Sequence, residues 1–210
     1  MRYVYIFITI LILASCGSGG SDEGNQVLST GLKIFVTSNG HVGDFANDPL
    51  LSGSNAIEKA DTFCNNDPNK PNDSYYKALI VDGINRDAVS LTDWVLEPNT
   101  TYYRPYNNIV IGETIGTAIF PVLYQQLTNS IADQRPEIGG FELTNETYTG
   151  ISDPSNFSTN GTNTCNGWSS ATNQYVANWG RIYEKTANSI STNGRIACDL
   201  IAPLYCVEQQ

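Results

Sequence analysis

Five cysteines constrain this chain more than any other feature, because one follows an apolar leader and four lie far downstream. Cys16 comes directly after Leu13-Ala14-Ser15, in which Ala14 and Ser15 are the small residues that a signal peptidase requires. Arg2 provides the positive start of the leader, and residues 4–13 are almost wholly apolar. We interpret this pattern as the lipobox of a bacterial lipoprotein, in which the Cys16 thiol is acylated and Cys16 becomes the mature N-terminus.

The leader and the residues after it predict how the chain is attached to the membrane. The apolar run is too short to span a bilayer, since a spanning helix needs about 20 residues. Residues 16–30 are rich in Gly, Ser and acidic residues, and a flexible linker of about 14 residues has a root-mean-square span of roughly 20 Å. We therefore expect a signal peptide at 1–15, a tether at 16–30 and one folded domain at 31–210. An ordinary signal peptide with an incidental cysteine is the alternative.

Four cysteines are left for the folded domain: Cys64, Cys165, Cys198 and Cys206. An even number of cysteines in an exported domain predicts two disulfides, and four cysteines allow three connectivities that the spacing leaves open. The chain has no Cys-x-x-Cys pair and a single histidine, His41. We therefore expect no zinc site and no metal ligands among these residues.

The charge balance narrows the range of partners. The formal net charge is −10, and the 11 Lys and Arg residues are scattered singly along the chain. Nucleic acids and sulfated polysaccharides require a basic stripe, so both are excluded as expected partners. The lipid anchor makes the membrane a partner, and the expected location is the bacterial cell envelope, at the outer membrane or the cell surface.

The folded part predicts one helix among many short strands. Asn55 and Glu58 have the spacing of a helix capping box, and the apolar residues that follow recur at helical spacing as far as Cys64. Residues 152–166 are dominated by Ser, Thr, Asn and Gly, which predicts a long loop. Strands are expected at 32–37, 76–82, 102–103, 108–115, 118–122, 148–151, 194–199 and 203–208. The pattern predicts an α+β domain.

Seven short segments in this order resemble a known family. They are Phe35-Val36-Thr37-Ser38, the helix ending in Cys64, Tyr76-Lys77-Ala78-Leu79, Asp93-Trp94-Val95-Leu96, Pro98-Asn99-Thr100-Thr101-Tyr102-Tyr103, Cys165-Asn166-Gly167-Trp168 and Leu204-Tyr205-Cys206-Val207-Glu208-Gln209. Together they are similar to leptospiral-type lipoproteins known mainly as a domain of unknown function. That family resembles the endostatin domain and, more distantly, C-type-lectin-like domains. The resemblance covers about residues 32–209.

The resemblance implies an endostatin-like or C-type-lectin-like fold with long loops, and it selects a disulfide pairing. It implies that Cys64 pairs with Cys206 and that Cys165 pairs with Cys198. The sequence also departs from these relatives. Glu97-Pro98-Asn99 has the letters of a lectin calcium motif, but it lies far upstream of Cys165, where that site is built. We therefore do not expect sugar binding to follow from the fold.

Cofactor and catalytic sites are not expected. A structural calcium ion near Asp44, Asn47 and Asp48 is an alternative to the turn formation that such residues favour. Asp82, Asp87, Asp93 and Glu97 lie close together in sequence and could in principle pair as acid and base. We expect these four to be loop acids and His41 to be a surface or turn residue, so the protein is predicted not to be an enzyme.

The aromatic residues supply the candidates for ligand contact. Tyr102, Tyr103 and Tyr106 lie in one Asn- and Pro-rich segment, and Trp179 could form a stacking platform. For the tryptophans, including Trp94 and Trp168, packing in the core is the favoured alternative. The function expected is that of a monomeric, lipid-anchored binding protein with a protein or glycan ligand. A structural or periplasm-facing lipoprotein without an external ligand, and a carboxylate-based hydrolase, are the alternatives.

Overall fold

A computed structural model describes residues 31–132 and 145–210, together with two short strands between these ranges. The leader, Cys16 and the tether lie outside the described residues, so the expectations for them are unchanged. Within the described ranges, no helix has both the length and the apolar composition needed to cross a bilayer.

The described chain is a mixed α+β domain made mostly of strands, as predicted. Its two helical elements are α1 (Ala56–Asn66) and α2 (Cys165–Trp168), and a 3-10 turn spans Ala187–Ser189. The strands are β1 (Leu32–Val36), β2 (Tyr76–Ala78), β3 (Thr101–Tyr103), β4 (Val110–Glu113), β5 (Glu137–Ile138), β6 (Phe141–Glu142), β7 (Glu146–Tyr148), β8 (Val176–Arg181), β9 (Arg195–Ala197) and β10 (Tyr205–Glu208).

The main sheet joins the two ends of the folded domain. Its strand order is β2-β10-β1-β3-β4, with β1 antiparallel to β10 and parallel to β3. Phe35 on β1 pairs with Cys206 on β10, which pairs in turn with Ala78 on β2. A second sheet has the order β7-β8-β9, and β5 pairs with β6.

The paired strands β1 and β10 are buried on both faces of the main sheet. On β1, Ile34 and Val36 belong to one hydrophobic core and Phe35 to another. This division follows from strand geometry, because successive side chains point to opposite faces. β10 shows the same alternation, with Tyr205 and Val207 in the first core and Cys206 in the second.

α1 confirms the predicted helix and covers the second core. The Asn55 side chain accepts a hydrogen bond from the Glu58 N–H at 3.0 Å, which satisfies one of the free donors of the first turn. The buried face of the helix carries Ala56, Ile57, Ala60 and Cys64.

Two disulfides are present. Cys64 on α1 bonds to Cys206 on β10, and Cys165 bonds to Cys198, which is the pairing that the family resemblance implies. They join residues 142 and 33 positions apart. In the chain-entropy model such loops contribute up to about 5 and about 3.7 kcal/mol.

Three predicted strands differ from the structure. The strand predicted at 148–151 is displaced, since β7 spans Glu146–Tyr148. The strand predicted at 76–82 ends at Ala78, because the chain then changes partners. The Leu79 N–H still donates to Tyr205 O at 2.8 Å, whereas the Val81 N–H donates to Thr149 O at 3.0 Å, beside the second sheet. The strand predicted at 118–122 is also wrong, since this segment forms turns in which Ala118 has a φ of 57°.

Gly43 offers a test of how tightly the second disulfide is packed. A Cβ at Gly43 would lie 2.2 Å from Cys165 Sγ and 2.7 Å from Cys165 Cβ. We expect Gly43→Ala to lower the free energy of unfolding by about 1–3 kcal/mol, the cost of overpacking a core. Urea unfolding under non-reducing conditions measures this.

Gly116→Ala is the matched control, since the nearest atom to its added Cβ is 4.0 Å away. That variant is expected to be neutral or slightly stabilising. Equal stabilities for the two variants would contradict the packing described here.

Candidate interaction site

The structure separates the aromatic residues that the sequence proposed for ligand contact. Tyr102 is fully buried and stacks edge-on with Phe120, so the prediction of an exposed contact is wrong for this residue. The physical reason is strand alternation, which points Tyr102 into the core between two more exposed neighbours on β3. Burial raises the pKa of Tyr102 to about 12, and its hydroxyl oxygen accepts a hydrogen bond from the Glu97 N–H at 2.7 Å.

The other three candidates do not converge. Tyr103 is half-buried on β3, and Tyr106 is exposed beyond the end of that strand. Trp179 lies on β8 in the second sheet, with the Arg181 guanidinium 5.5 Å from its ring centroid. Trp179 thus belongs to a different sheet from the two tyrosines.

Trp168 and Trp94 both pack against the core, as favoured for the tryptophans, but they differ in how far they are buried. Trp168 is fully buried and donates its Nε1–H to Val81 O at 3.0 Å. Trp94 is partly buried and donates to Ala118 O at 2.7 Å.

His41 and the residues considered for calcium lie in one turn region. His41 Nε2 lies 3.0 Å from Asp48 Oδ2, and the His41 ring stacks on Phe45. Asp44 Oδ1 accepts hydrogen bonds from the backbone and side-chain amides of Asn47. These oxygens are thus used within the turn. Across the residues that the structure describes, no group of three or more His, Cys, Asp or Glu side chains is arranged to hold a metal ion.

Of the four acids considered for catalysis, Asp82 and Asp87 accept hydrogen bonds from nearby residues of one loop. Asp82 Oδ1 accepts hydrogen bonds from the backbone N–H groups of Ile84, Asn85 and Arg86 at 2.8–3.0 Å. Asp87 accepts hydrogen bonds from Ser90. Asp82 and Asp87 therefore shape the chain between residues 82 and 93.

Arg86 is the centre of a buried ion-pair network. Its side chain is fully buried, and its two terminal nitrogens lie 2.9 and 2.8 Å from the two oxygens of Asp61 on α1. Its Nη2 also donates to Asp93 Oδ2 at 2.5 Å, and Asp93 is paired in turn with Lys77. Such a bidentate pair is among the stronger hydrogen-bonded contacts in proteins.

The pKa values of Asp61 and Asp93 shift in opposite directions. Burial raises the pKa of Asp61, although the hydrogen bonds from Arg86 oppose that rise. Burial also acts to raise the pKa of Asp93, but the charge of Arg86 and the hydrogen bond from Lys77 hold it below its usual value.

The same network closes the edge of the main sheet. Asp61 Oδ1 accepts from the Ala78 N–H at 2.8 Å, and Arg86 Nη1 donates to Ala78 O at 2.6 Å. One turn further along α1, the Asn65 amide donates to Tyr76 O and accepts from the Tyr76 N–H. Side chains thus bond to β2 as a further strand would, so its edge is not open to another chain.

The segment held by Arg86 forms the best candidate for an interaction site. We call residues 82–93 the apolar loop, because it exposes 81% of Ile84, 62% of Val89 and 57% of Leu91. Leu91 and Asp93 both have positive φ, at 56° and 44°. Such a backbone conformation costs of order 1–3 kcal/mol per residue and persists only where the surroundings enforce it. Sequence alone did not predict this site, since turn-forming residues in the segment are typical of an ordinary loop.

The apolar loop begins at the end of β2 remote from residue 32 and returns along this strand, where Asp93 pairs with Lys77. β2 runs parallel to β1, because both are antiparallel to β10. Tyr76 pairs with Glu208, whose carboxylate accepts a hydrogen bond from the Lys33 N–H near the start of β1. Residues 82–93 therefore follow from the opposite end of β2. There Gly83 lies close to Thr159 of the long loop.

These features define a disulfide-linked α+β domain whose most exposed apolar side chains include those of one internally braced loop. The chain belongs to the family described as "Protein of unknown function (DUF1554)", whose model matches residues 50–185. That match includes α1, β2 and the apolar loop. A comparison with curated proteins finds no match.

Removing Arg86 should be costly, because it leaves the Asp61 carboxylate buried without its partner. We expect Arg86→Met to lower the free energy of unfolding by about 3–5 kcal/mol. Lys77→Met is the control, since Lys77 pairs with the same Asp93 in a partly exposed position and is expected to cost at most about 1 kcal/mol. Chemical denaturation compares the two, and similar losses would show that the Arg86 network does not brace the fold.

His41 and Asp48 predict a pH dependence of stability. The hydrogen bond from His41 is the main cause that lowers the pKa of Asp48 below 3.8. A carboxyl with a lowered folded-state pKa stabilises the fold above its unfolded pKa, and this contribution is lost as the pH falls through the folded value. We expect Asp48→Asn to destabilise the protein at neutral pH and to match the wild type in strong acid.

Thermal unfolding measured from neutral pH down to strong acid tests the effect of Asp48→Asn. The exposed Glu97→Gln variant serves as the control for removing one acidic charge. A stability difference at Asp48 that stays constant down to strong acid would contradict the assignment.

Proposed function

We propose that this protein is a non-enzymatic, lipid-anchored envelope protein that binds a protein partner through the apolar loop. The observation that carries the proposal is the combination of three exposed aliphatic side chains with a backbone fixed by Arg86 and Asp82. Exposed apolar side chains grouped on one ordered loop mark interaction sites in soluble proteins.

The chemistry of the apolar loop favours a protein over a glycan. Ile84, Val89 and Leu91 offer no aromatic face for a sugar ring and no polar group for its hydroxyls. Full burial of an aliphatic side chain is worth about 1.5–3 kcal/mol, so a partner with an apolar pocket would gain usefully from each. Because the loop is already ordered, little further conformational entropy is lost on binding.

The anchor and the loop support an outward-facing arrangement. Acylation at Cys16 would hold the domain by the 16–30 tether, which enters the folded part at the start of β1. The apolar loop begins at the other end of β2, and we expect a partner to approach it from the side away from the anchor. With a net charge of −10, the protein would associate faster with a partner that has a basic rim.

We also propose that the fold is of the endostatin-like or C-type-lectin-like type. The terminal strands pair at the centre of one sheet, an early helix is disulfide-bonded to the last strand, and a second small sheet carries long loops. In such an arrangement the loops are free to vary while the sheets stay fixed, which suits a binding role. An adhesin at the cell surface is the form of this function that we favour.

Photo-cross-linking in cells tests the binding site. We expect a photoreactive amino acid at position 84 or 91 to give an adduct of defined mass in the native host. The matched control is position 124, because Tyr124 is 89% exposed but lies outside the apolar loop. Adducts at 84 and 91 but not at 124 would support the proposal. No adduct at 84 and 91, or the same adducts at all three positions, would overturn it.

Two further experiments test the anchor and the orientation of the domain. Cys16→Ser should move the protein from the membrane fraction to the soluble fraction, because it removes the acylated thiol. Protease added to intact cells should digest the wild-type protein if the domain faces outward. Protection from protease would instead support the periplasm-facing alternative, in which the partner is another envelope component.

A further inference from the structure

The chain contains four Asn-Gly pairs, at residues 39–40, 160–161, 166–167 and 193–194. In such a pair the glycine has no Cβ, so its backbone nitrogen can approach the preceding side-chain amide closely. That approach permits an intramolecular reaction in which the nitrogen attacks the asparagine Cγ. The structure gives the four pairs different surroundings, and one of them favours this reaction.

Asn160 has two hydrogen-bond donors on its side-chain oxygen. The backbone N–H of Thr162 lies 3.1 Å from Asn160 Oδ1, and the Thr162 hydroxyl lies 3.0 Å from the same atom. Attack at Cγ places negative charge on that oxygen, so the two donors are already directed at the atom where charge develops. Donors placed in this way lower the barrier to acyl-transfer chemistry.

The exposed surroundings of Gly161 leave room for its nitrogen to approach the side chain. Asn160, Gly161 and Thr162 are all exposed, and no atom lies within 4 Å of the position of a Cβ on Gly161. The Gly161 N–H donates to the half-buried Thr159 hydroxyl at 3.1 Å, and the Gly161 carbonyl oxygen accepts from the Thr164 hydroxyl at 3.2 Å. Little of the fold has to rearrange when the five-membered ring closes.

The other three pairs lack this combination. Asn166 Nδ2 donates to Ser169 Oγ, and Asn166 and Gly167 lie within the left-handed turn α2. Gly194 is packed against the Trp179 indole. The backbone of Asn39 is bonded to Asp67 through its N–H and to Thr37 through its carbonyl. In the described structure, none of the side-chain oxygens of Asn39, Asn166 and Asn193 accepts a hydrogen bond.

We propose that Asn160 is a site of spontaneous deamidation and isoaspartate formation. The Gly161 nitrogen loses its proton to solvent base and forms a bond to Asn160 Cγ, and the Cγ–Nδ2 bond breaks with release of ammonia. Water then adds to either carbonyl of the cyclic succinimide and opens the ring, which gives aspartate or isoaspartate. Each event adds one negative charge, and the isoaspartate product adds one methylene to the backbone beside Gly83.

Heavy-oxygen water identifies the reaction. The purified full-length protein is incubated in this water at mildly alkaline pH, and the four Asn-Gly peptides are then compared by mass spectrometry. We expect the Asn160 peptide to gain one heavy oxygen atom about tenfold faster than the other three, with isoaspartate as the larger product. Equal rates at the four pairs, or a faster rate at any other pair, would overturn the proposal.

Thr162→Val tests the role of the two donors, because it removes the hydroxyl and keeps the shape of the side chain. We expect deamidation at Asn160 to slow severalfold in this variant. Ser169→Ala is the matched control, since it removes the hydroxyl beside Asn166 and should leave the Asn160 rate unchanged. An unchanged rate in Thr162→Val would show that the hydroxyl does not activate the amide. Unfolding curves confirm that both variants are folded.

Discussion

The buried ion pair between Arg86 and Asp61 is the contact on which the rest of the domain depends. It joins α1 to the edge strand β2, and it fixes the chain that leads into the apolar loop. A guanidinium and a carboxylate taken out of water are each costly, so the pair is stable only because its donors and acceptors have partners. Ala78 and Asp93 supply those partners. The edge of the sheet and the loop conformation therefore have a common physical cause.

A second local constraint lies in the long loop that borders the apolar loop. All four residues of α2, Cys165 to Trp168, have positive φ, so this turn is left-handed. Left-handed helical residues other than glycine cost roughly 1–2 kcal/mol each, and three of these four residues carry a Cβ. The disulfide to Cys198 and the buried indole of Trp168 hold the turn in place. The apolar loop and the long loop thus meet at Gly83. The first is held by the Arg86 ion pairs and the second by the disulfide of Cys165.

Local sequence patterns predicted those parts of the fold that short-range physics decides. The capping residues Asn55 and Glu58 and the helical spacing up to Cys64 located α1, because a helix is built from neighbours in sequence. The first and last strands were also predicted, from their β-branched and aromatic content. The strand predicted at 76–82 was too long, because the chain leaves the main sheet and the Val81 N–H bonds to Thr149 O. The position of Thr149 beside Val81 is a long-range contact that a local pattern does not contain. Tyr102 was assigned to the surface because three tyrosines in a polar segment look exposed.

The sequence by itself determined the α+β composition, the number of disulfides and the position of the main helix, and the family resemblance added their pairing. Tertiary structure alone decided which face each aromatic residue takes and that Arg86 is buried rather than exposed. It also decided that residues 82–93 form a braced loop. Arginine is ordinarily a surface residue, and only long-range contacts with Asp61 and Ala78 make its burial favourable. Propensity and spacing describe neighbours along the chain, whereas the candidate site is built from segments that only folding brings together.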